Sequence, residues 1–277
     1  MLKKQGTGGM SIASSQQSAI SGQPSEGASM EISEERKSMY DQIVSQPALI
    51  REMFEPIDTL IRATLNRNEC RKWQRIFLAG CGDSYYTGLA CELAIEQFAR
   101  LPVEPMSSLQ FSRYSVDFIP PHSVLFGISN SGRVSRSIEA VILAREAGME
   151  TVAITGNPGS PITSEAHYTL GVKIPAISPG VRSYTISLLT TLLTALYLGE
   201  CRGSLSTERA TQLRGELRGV ADLMEETNEI LIDQCYSLAE ALEKENLFIF
   251  VGGGPNYATA LFSAAKIVEA CGSYAYG

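Results

Sequence analysis

Three short stretches concentrate hydroxyls, amides and glycines at the ends of apolar runs. They are Gly80-Cys81-Gly82-Asp83-Ser84, Ser129-Asn130-Ser131-Gly132-Arg133-Val134-Ser135 and Gly180-Val181-Arg182-Ser183. Each leads into a segment with helical character. A helix N-terminus offers free backbone N–H groups and the positive end of the helix dipole, so a hydroxyl-rich turn there suits an anion. A phosphate fits, since each charge-assisted hydrogen bond contributes roughly 1.5–3 kcal/mol and several form at once. Taken singly, Ser84, Ser135 and Ser183 read as helix N-caps. The Ser129/Ser131 pair flanking Asn130, with Gly132 next, reads instead as a ligand loop. The Gly80/Gly82 turn also matches half of a dinucleotide fingerprint, with Glu104 near the place of a ribose-binding acid. Its third glycine would fall at Tyr85, so a short phosphate ester suits these turns better than a dinucleotide.

The elements that must position these turns are legible around them. Short apolar runs at Arg75–Ala79, Pro102–Pro105, Ser123–Ile128, Glu150–Ile154 and His167–Val172 read as strands. Between and after them, Ser84–Phe98, Val134–Ala147, Pro161–Ala166 and Ser183–Leu198 read as helices. Strict alternation implies an α/β domain with a parallel sheet covered on both faces. Five strands in about 100 residues fit a flavodoxin-like doubly wound unit, in which ligands bind beyond the carboxyl ends of the strands. Two helices split at Pro47 precede the sheet, and a charged helical stretch over Ser206–Lys244 follows it.

Composition narrows the function. The 277 residues suggest two domains. A net charge of −7, a single Trp and no basic run argue against a nucleic-acid partner. No apolar run is long enough for a bilayer, and no apolar segment follows Lys3 and Lys4 as a secretory signal requires, so no membrane partner is expected. The six cysteines form no C-x-x-C pair and there are two histidines, so no metal is expected, and the thiols read as reduced in a cytoplasmic protein. His122 and His167 read as turn and structural residues. Residues 1–30 are rich in Ser, Gly and Gln and lack aromatics, and read as a disordered leader.

The chain also repeats itself. IFLAGCGDSYYTGLA (76–90) aligns with FIFVGGGPNYATALF (248–262) at a constant offset of 172, with Gly80, Gly82, Tyr85, Thr87 and Leu89 falling on Gly252, Gly254, Tyr257, Thr259 and Leu261. Five identities in fifteen positions at the start of the same unit argue for duplication. The second copy is expected to hold one strand and one helix, as in a truncated chain or one whose last segment docks on the first domain. The domains are then a leader (1–30), N-terminal helices (31–70), a first sheet domain (71–203), a helical linker (204–246) and the start of a second copy (247–277).

GCGDSYYTG, SNSGRVSRS and GVRS at these separations resemble the SIS (sugar isomerase) domain family, and MYDQIVSQPALI upstream resembles the segment leading into such a domain. The likeness covers residues 35–277 and is to the isomerase half of the glucosamine-6-phosphate synthases. It implies a flavodoxin-like five-stranded parallel sheet used in tandem, a homodimer, no cofactor, and a phosphorylated sugar or aminosugar as ligand. By motif, Ser84, Ser129, Asn130 and Ser131 would hold the phosphate, with Ser135 a further contact. Val181 and Ser183 would touch the sugar. Lys266 and Glu269 match a lysine and a general-base glutamate. Phe262 stands where the synthases carry a second glutamate, Asp83 replaces the usual threonine, and Arg133 replaces a common glutamate.

Three residues apart on a helix, Lys266 and Glu269 also read as an ordinary solvated ion pair. The repeat, which turns the face following Gly252–Gly254 toward the crevice, favours a base that moves a proton between C1 and C2 of an open-chain sugar. No glutaminase segment is present, so glutamine-dependent ammonia transfer is not expected. An aldose–ketose or aminosugar-phosphate isomerase or deaminase, a non-catalytic sugar-phosphate sensor, and a fructosamine-phosphate deglycase all remain open.

Overall fold

The computed structural model describes residues 34–174 and 180–277; the leader expected over residues 1–30 lies outside them. Three helices come first: α1 (Glu34–Val44), α2 (Gln46–Thr64) and α3 (Arg67–Lys72). Then follow β1 (Arg75–Gly80), α4 (Asp83–Ala99), β2 (Val103–Ser107), α5 (Ser108–Gln110), β3 (Ser123–Ile128), α6 (Ser135–Glu146), β4 (Glu150–Thr155), α7 (Pro161–Glu165), β5 (Tyr168–Gly171) and α8 (Arg182–Arg202). The chain continues through α9 (Thr207–Ala241), β6 (Leu247–Ile249), α10 (Pro255–Cys271) and β7 (Tyr274–Tyr276). Helix α3 was not expected. Its signal is Asn66, whose side chain accepts from the N–H groups of Asn68 and Glu69 as an N-cap. The coil between β2 and β3 also contains a π-helical turn at Phe111–Ser115 and a 3-10 turn at Val116–Phe118, neither of which was expected.

The main sheet is parallel throughout and runs β2-β1-β3-β4-β5. This is the flavodoxin-like order, and the chain reverses its direction of travel across the sheet between β1 and β3. Strand β3, SVLFGI, is buried at every position, as a central parallel strand requires. Its alternate residues serve two cores. Ile76, Leu78, Val124, Phe126, Val152 and Ile154 pack with α2, α4 and α8. Phe77, Leu125 and Ala153 pack with Ala140, Val141 and Ala144 of α6. Helix α2 contributes Ile50, Phe54, Ile57 and Ile61 to the first core, at the spacing of one helical face.

Helix α9 is a single 35-residue helix, and its first half is tied down by charge. Arg214 bonds Asp58 at 2.9 Å and Glu200 at 2.6 Å, while Arg62 bonds the same two acids at 2.8 and 3.0 Å. The side chains of Arg214, Asp58 and Glu200 are only 10–13% exposed. Breaking a largely buried network leaves acids short of partners. Arg214→Ala is therefore expected to destabilise the fold by about 3 kcal/mol, read as a lower urea midpoint at unchanged slope.

After α10 the chain forms one more strand than expected. β7 pairs parallel with β6, so the second copy is a strand–helix–strand unit and not a strand and a helix alone. Its register repeats the first: Ile76 faces Val103, and Phe248 faces Ala275, with both pairs related by the same offset of 172. Gly82 (φ 54°, ψ −125°) and Gly254 (φ 58°, ψ −135°) share one left-handed conformation at the entries to α4 and α10. A Cβ on Gly80 would lie 2.5 Å from the Ser84 carbonyl carbon, and one on Gly252 2.4 Å from that of Asn256. In both copies the helix therefore starts so close to the strand end that only glycine fits.

Candidate functional site

The turn after β1 and the turn after β3 lie side by side, because β1 and β3 are neighbours in the sheet. They meet where doubly wound sheets open a crevice at their carboxyl edge. A buried contact ties them together: the Ser137 hydroxyl of α6 donates to the Cys81 Sγ at 3.8 Å and lies 3.1 Å from the Ser108 hydroxyl. Ser84 sits half-buried in the first turn of α4. Ser129, Asn130 and Ser131 follow β3 directly, and Ser135 is exposed at the start of α6.

The hydroxyls of this edge are not used as caps. The N-cap positions of α4, α6 and α8 are Gly82, Val134 and Val181, and none of these helices has a side-chain cap. The N-cap reading of Ser84, Ser135 and Ser183 is thus corrected, because a glycine or valine holds the cap position in each helix. Ser129 is 2% exposed, and its hydroxyl has no hydrogen-bond partner among the described residues. Buried hydroxyls are nearly always satisfied, and the Ser160 hydroxyl, packed against Gly132, shares this lack among the described residues.

The loop itself is tightly built. The Asn130 carbonyl accepts from Gly156 N–H at 3.0 Å and from the Thr155 hydroxyl at 3.2 Å. The Asn130 side chain lies where a Cβ on Gly156 would be. Gly132 takes φ 63° against Ser160, a conformation and approach that need glycine. The Ser131 hydroxyl accepts from Arg133 N–H at 3.3 Å, and the Arg133 residue is exposed.

At the third turn, Val181 is buried and its backbone is engaged. Its N–H donates to Gln42 Oε1 at 3.1 Å and its carbonyl accepts from Thr185. Gln42, from α1, lies within the MYDQIVSQPALI segment, where nothing marked it individually; its helix carries no periodic signal beyond ordinary polarity. Ser183 is half-buried at the start of α8. Beside it, Tyr184 stacks on Phe262 of α10, with ring centroids 4.0 Å apart and planes 14° apart. Burial pushes the Tyr184 hydroxyl well above the usual tyrosine range.

Helix α10 packs on α4, which brings the second copy to the first turn. Lys266 is 7% exposed, its ammonium lies 2.8 Å from Asp83 and 2.7 Å from Glu269, and it sits 4.8 Å over the Phe262 ring. The solvated-pair reading is corrected here: the ammonium is buried and shared between two helices. Asp83 turns toward Lys266. Burial raises its carboxyl above the ordinary range, with Lys266 opposing and Glu269 adding to the rise. The Glu269 side chain is 43% exposed. Glu104 is held by Arg75 at 3.1 Å, and His167 Nδ1 accepts from Thr151 N–H at 3.1 Å, so both have structural partners.

A parallel sheet of this order with hydroxyl-lined turns at its reversal point defines a doubly wound α/β domain of the ligand-binding kind. Within that class, residues 69–198 match the SIS domain. The chain is 29% identical over 246 residues to a glutamine–fructose-6-phosphate aminotransferase (isomerizing) of Clostridium tetani, covering 86% of this chain and 38% of that protein. It is 29% identical over 242 residues to isoform 2 of the human enzyme of that name, covering 83% of this chain and 35% of that protein. The chain thus spans less than two-fifths of the length of these relatives. Among solved structures it is similar to the C-terminal domain of the glucosamine-fructose-6-phosphate aminotransferase of Francisella tularensis, with a TM-score of 0.77 at 19% identity over 86% of this chain and 68% of that one. It is also similar to a glucosamine-6-phosphate deaminase of Thermotoga maritima, with a TM-score of 0.66 at 18% identity over 86% and 69%. Among the described residues no helix is long and apolar enough to cross a membrane.

Proposed function

We propose that this protein binds a phosphosugar at the carboxyl edge of β1 and β3, and that it is a sugar-phosphate or aminosugar-phosphate isomerase or deaminase. One observation carries the reading: the Ser129 hydroxyl, which directly follows β3, is buried and without a partner among the described residues, and the serines that open α4 and α6 are not spent on capping. A phosphate dianion there receives hydroxyl and backbone N–H donors along two helix dipoles. Ser84, Ser129, Asn130 and Ser131 hold it, Ser135 lies at the rim, and Val181 and Ser183 border the sugar.

Chemistry then falls to Glu269. With the phosphate anchored, an open-chain sugar presents C1 and C2 to a carboxylate. The carboxylate takes the proton from one carbon and returns it to the other through an enediol, or through an enolamine where the substrate bears an amine. Lys266 holds that carboxylate at 2.7 Å. The resemblance and the relatives named above support this assignment.

The test is direct. Fructose 6-phosphate, glucosamine 6-phosphate and a fructosamine 6-phosphate are titrated by calorimetry and assayed for turnover. Binding of at least one is expected. Ser131→Ala is expected to weaken it about tenfold, the loss of one hydrogen bond to a charged group. Binding without turnover of any of the three would favour a sensor, and absence of binding would overturn the site.

A further inference from the structure

We infer that Arg182 selects a sugar phosphate whose substituent at the reacting carbons, C1 or C2, carries a carboxylate. The inference rests on the phosphosugar reading given above and adds to it a second anionic group on the ligand. Arg182 opens α8 between Val181 and Ser183, the two residues that border the sugar, and it is half-buried. Its Nε is shut off from solvent and has no hydrogen-bond partner among the described residues. No acid among them pairs with its guanidinium.

Arginines elsewhere in the chain are spent on partners. Arg62 and Arg214 pair with Asp58 and Glu200, and Arg71 and Arg202 donate to the carbonyls of Cys201 and Ala99. Arg133, the other arginine in the three turns, is exposed, where water satisfies a guanidinium. Arg182 differs from all of these: its Nε has lost solvent and gained no acceptor, a state that a bound acceptor relieves. The guanidinium fork matches a planar carboxylate or a phosphate with two parallel hydrogen bonds.

The place of Arg182 decides between those two anions. The phosphate is assigned to the turns after β1 and β3. The third turn is fastened instead to the helix of the proposed base. Tyr184, two residues beyond Arg182, stacks on Phe262 at 4.0 Å, and the Lys266 ammonium that holds Glu269 lies 4.8 Å over the same ring. Arg182 therefore goes with the end of the ligand where C1 and C2 react. A simple sugar phosphate has no anion at that end. A sugar phosphate joined there to an amino acid through its nitrogen has one, the α-carboxylate.

Two ligands that differ only in that carboxylate test the inference: 1-deoxyfructose 6-phosphate bearing glycine at C1 through nitrogen, and the same sugar bearing methylamine. Calorimetric titration of the full chain is expected to show the glycine adduct bound at least about tenfold more tightly, since a site built around a charged hydrogen bond rejects the analogue that lacks it. In Arg182→Gln the ratio of the two affinities is expected to fall to about one. Urea denaturation shows whether the variant folds, and Arg182→Met gives the same test if the amide perturbs folding. Equal binding of the two adducts by the native protein would overturn the inference and leave the phosphosugar reading standing, as would a ratio kept in a folded variant. Equal weakening of both adducts, with the ratio kept, would place Arg182 on the phosphate instead. Absence of binding of either adduct, of fructose 6-phosphate and of glucosamine 6-phosphate would remove the phosphosugar reading itself, and the role given to Arg182 with it.

Discussion

Glu269→Gln is expected to lower kcat by about 10³-fold while leaving the Kd for the bound phosphosugar within about twofold. The two parameters separate because the two functions sit on different elements. In the proposed site the phosphate lies at the turns ending β1 and β3, whereas Glu269 stands on α10 with its carboxylate hydrogen-bonded to Lys266. Glutamine keeps the shape and can still accept from the Lys266 ammonium, so the fold and the pocket wall survive. What it cannot do is take a proton. General-base help is worth about 10²–10⁴-fold. Steady-state kinetics with whichever sugar phosphate is turned over, alongside calorimetric binding, checks both halves. Native turnover in the variant would exclude Glu269 as the base; lost binding with lost turnover would place it in the binding pocket instead.

The second large effect concerns Ser129. Its hydroxyl is buried and unpaired among the described residues, so Ser129→Ala is expected to leave the fold as stable as before or up to about 1 kcal/mol more stable. Phosphosugar affinity should nevertheless fall by about 10- to 100-fold, the worth of one hydrogen bond to a charged acceptor. Opposite movements in stability and affinity are the signature of a group kept for a ligand. A hydroxyl kept for packing would lower stability and leave affinity alone. Urea denaturation without ligand and calorimetry with it measure the two quantities separately. Loss of stability with unchanged affinity would remove Ser129 from the phosphate site.

Much of this architecture was readable from residue order. Alternating apolar runs and glycine-rich turns place the strands within a residue or two, and β3 begins and ends where SVLFGI does. The two sheet-edge turns could be found because short polar residues and glycines are expensive inside a strand and cheap at its end. The 172-residue repeat is equally visible, and the matched registers of the two strand pairs show that it is a repeat of backbone geometry as well as of letters.

Other features could not be read that way. In IFLA and VLFG every residue is apolar, so nothing in the letters assigns Leu78 to the α2–α4–α8 side and Phe77 to the α6 side. That choice belongs to the helices that cover each face. β7 was missed because YAY is short and exposed, with no apolar run to mark it. Gln42 was missed because a polar residue on a surface-like helix has no periodic signature, yet it binds the N–H of Val181 at a distance of 139 residues. Asp83, read only as a replacement for the usual threonine, meets Lys266 across 183 residues.

Local pattern is set by backbone preference and hydrophobic period, which act over a few residues and leave their mark in the order of the chain. Which distant charges share a buried ammonium depends on helix packing angles and on what is excluded from water, and these exist only once the chain has closed on itself.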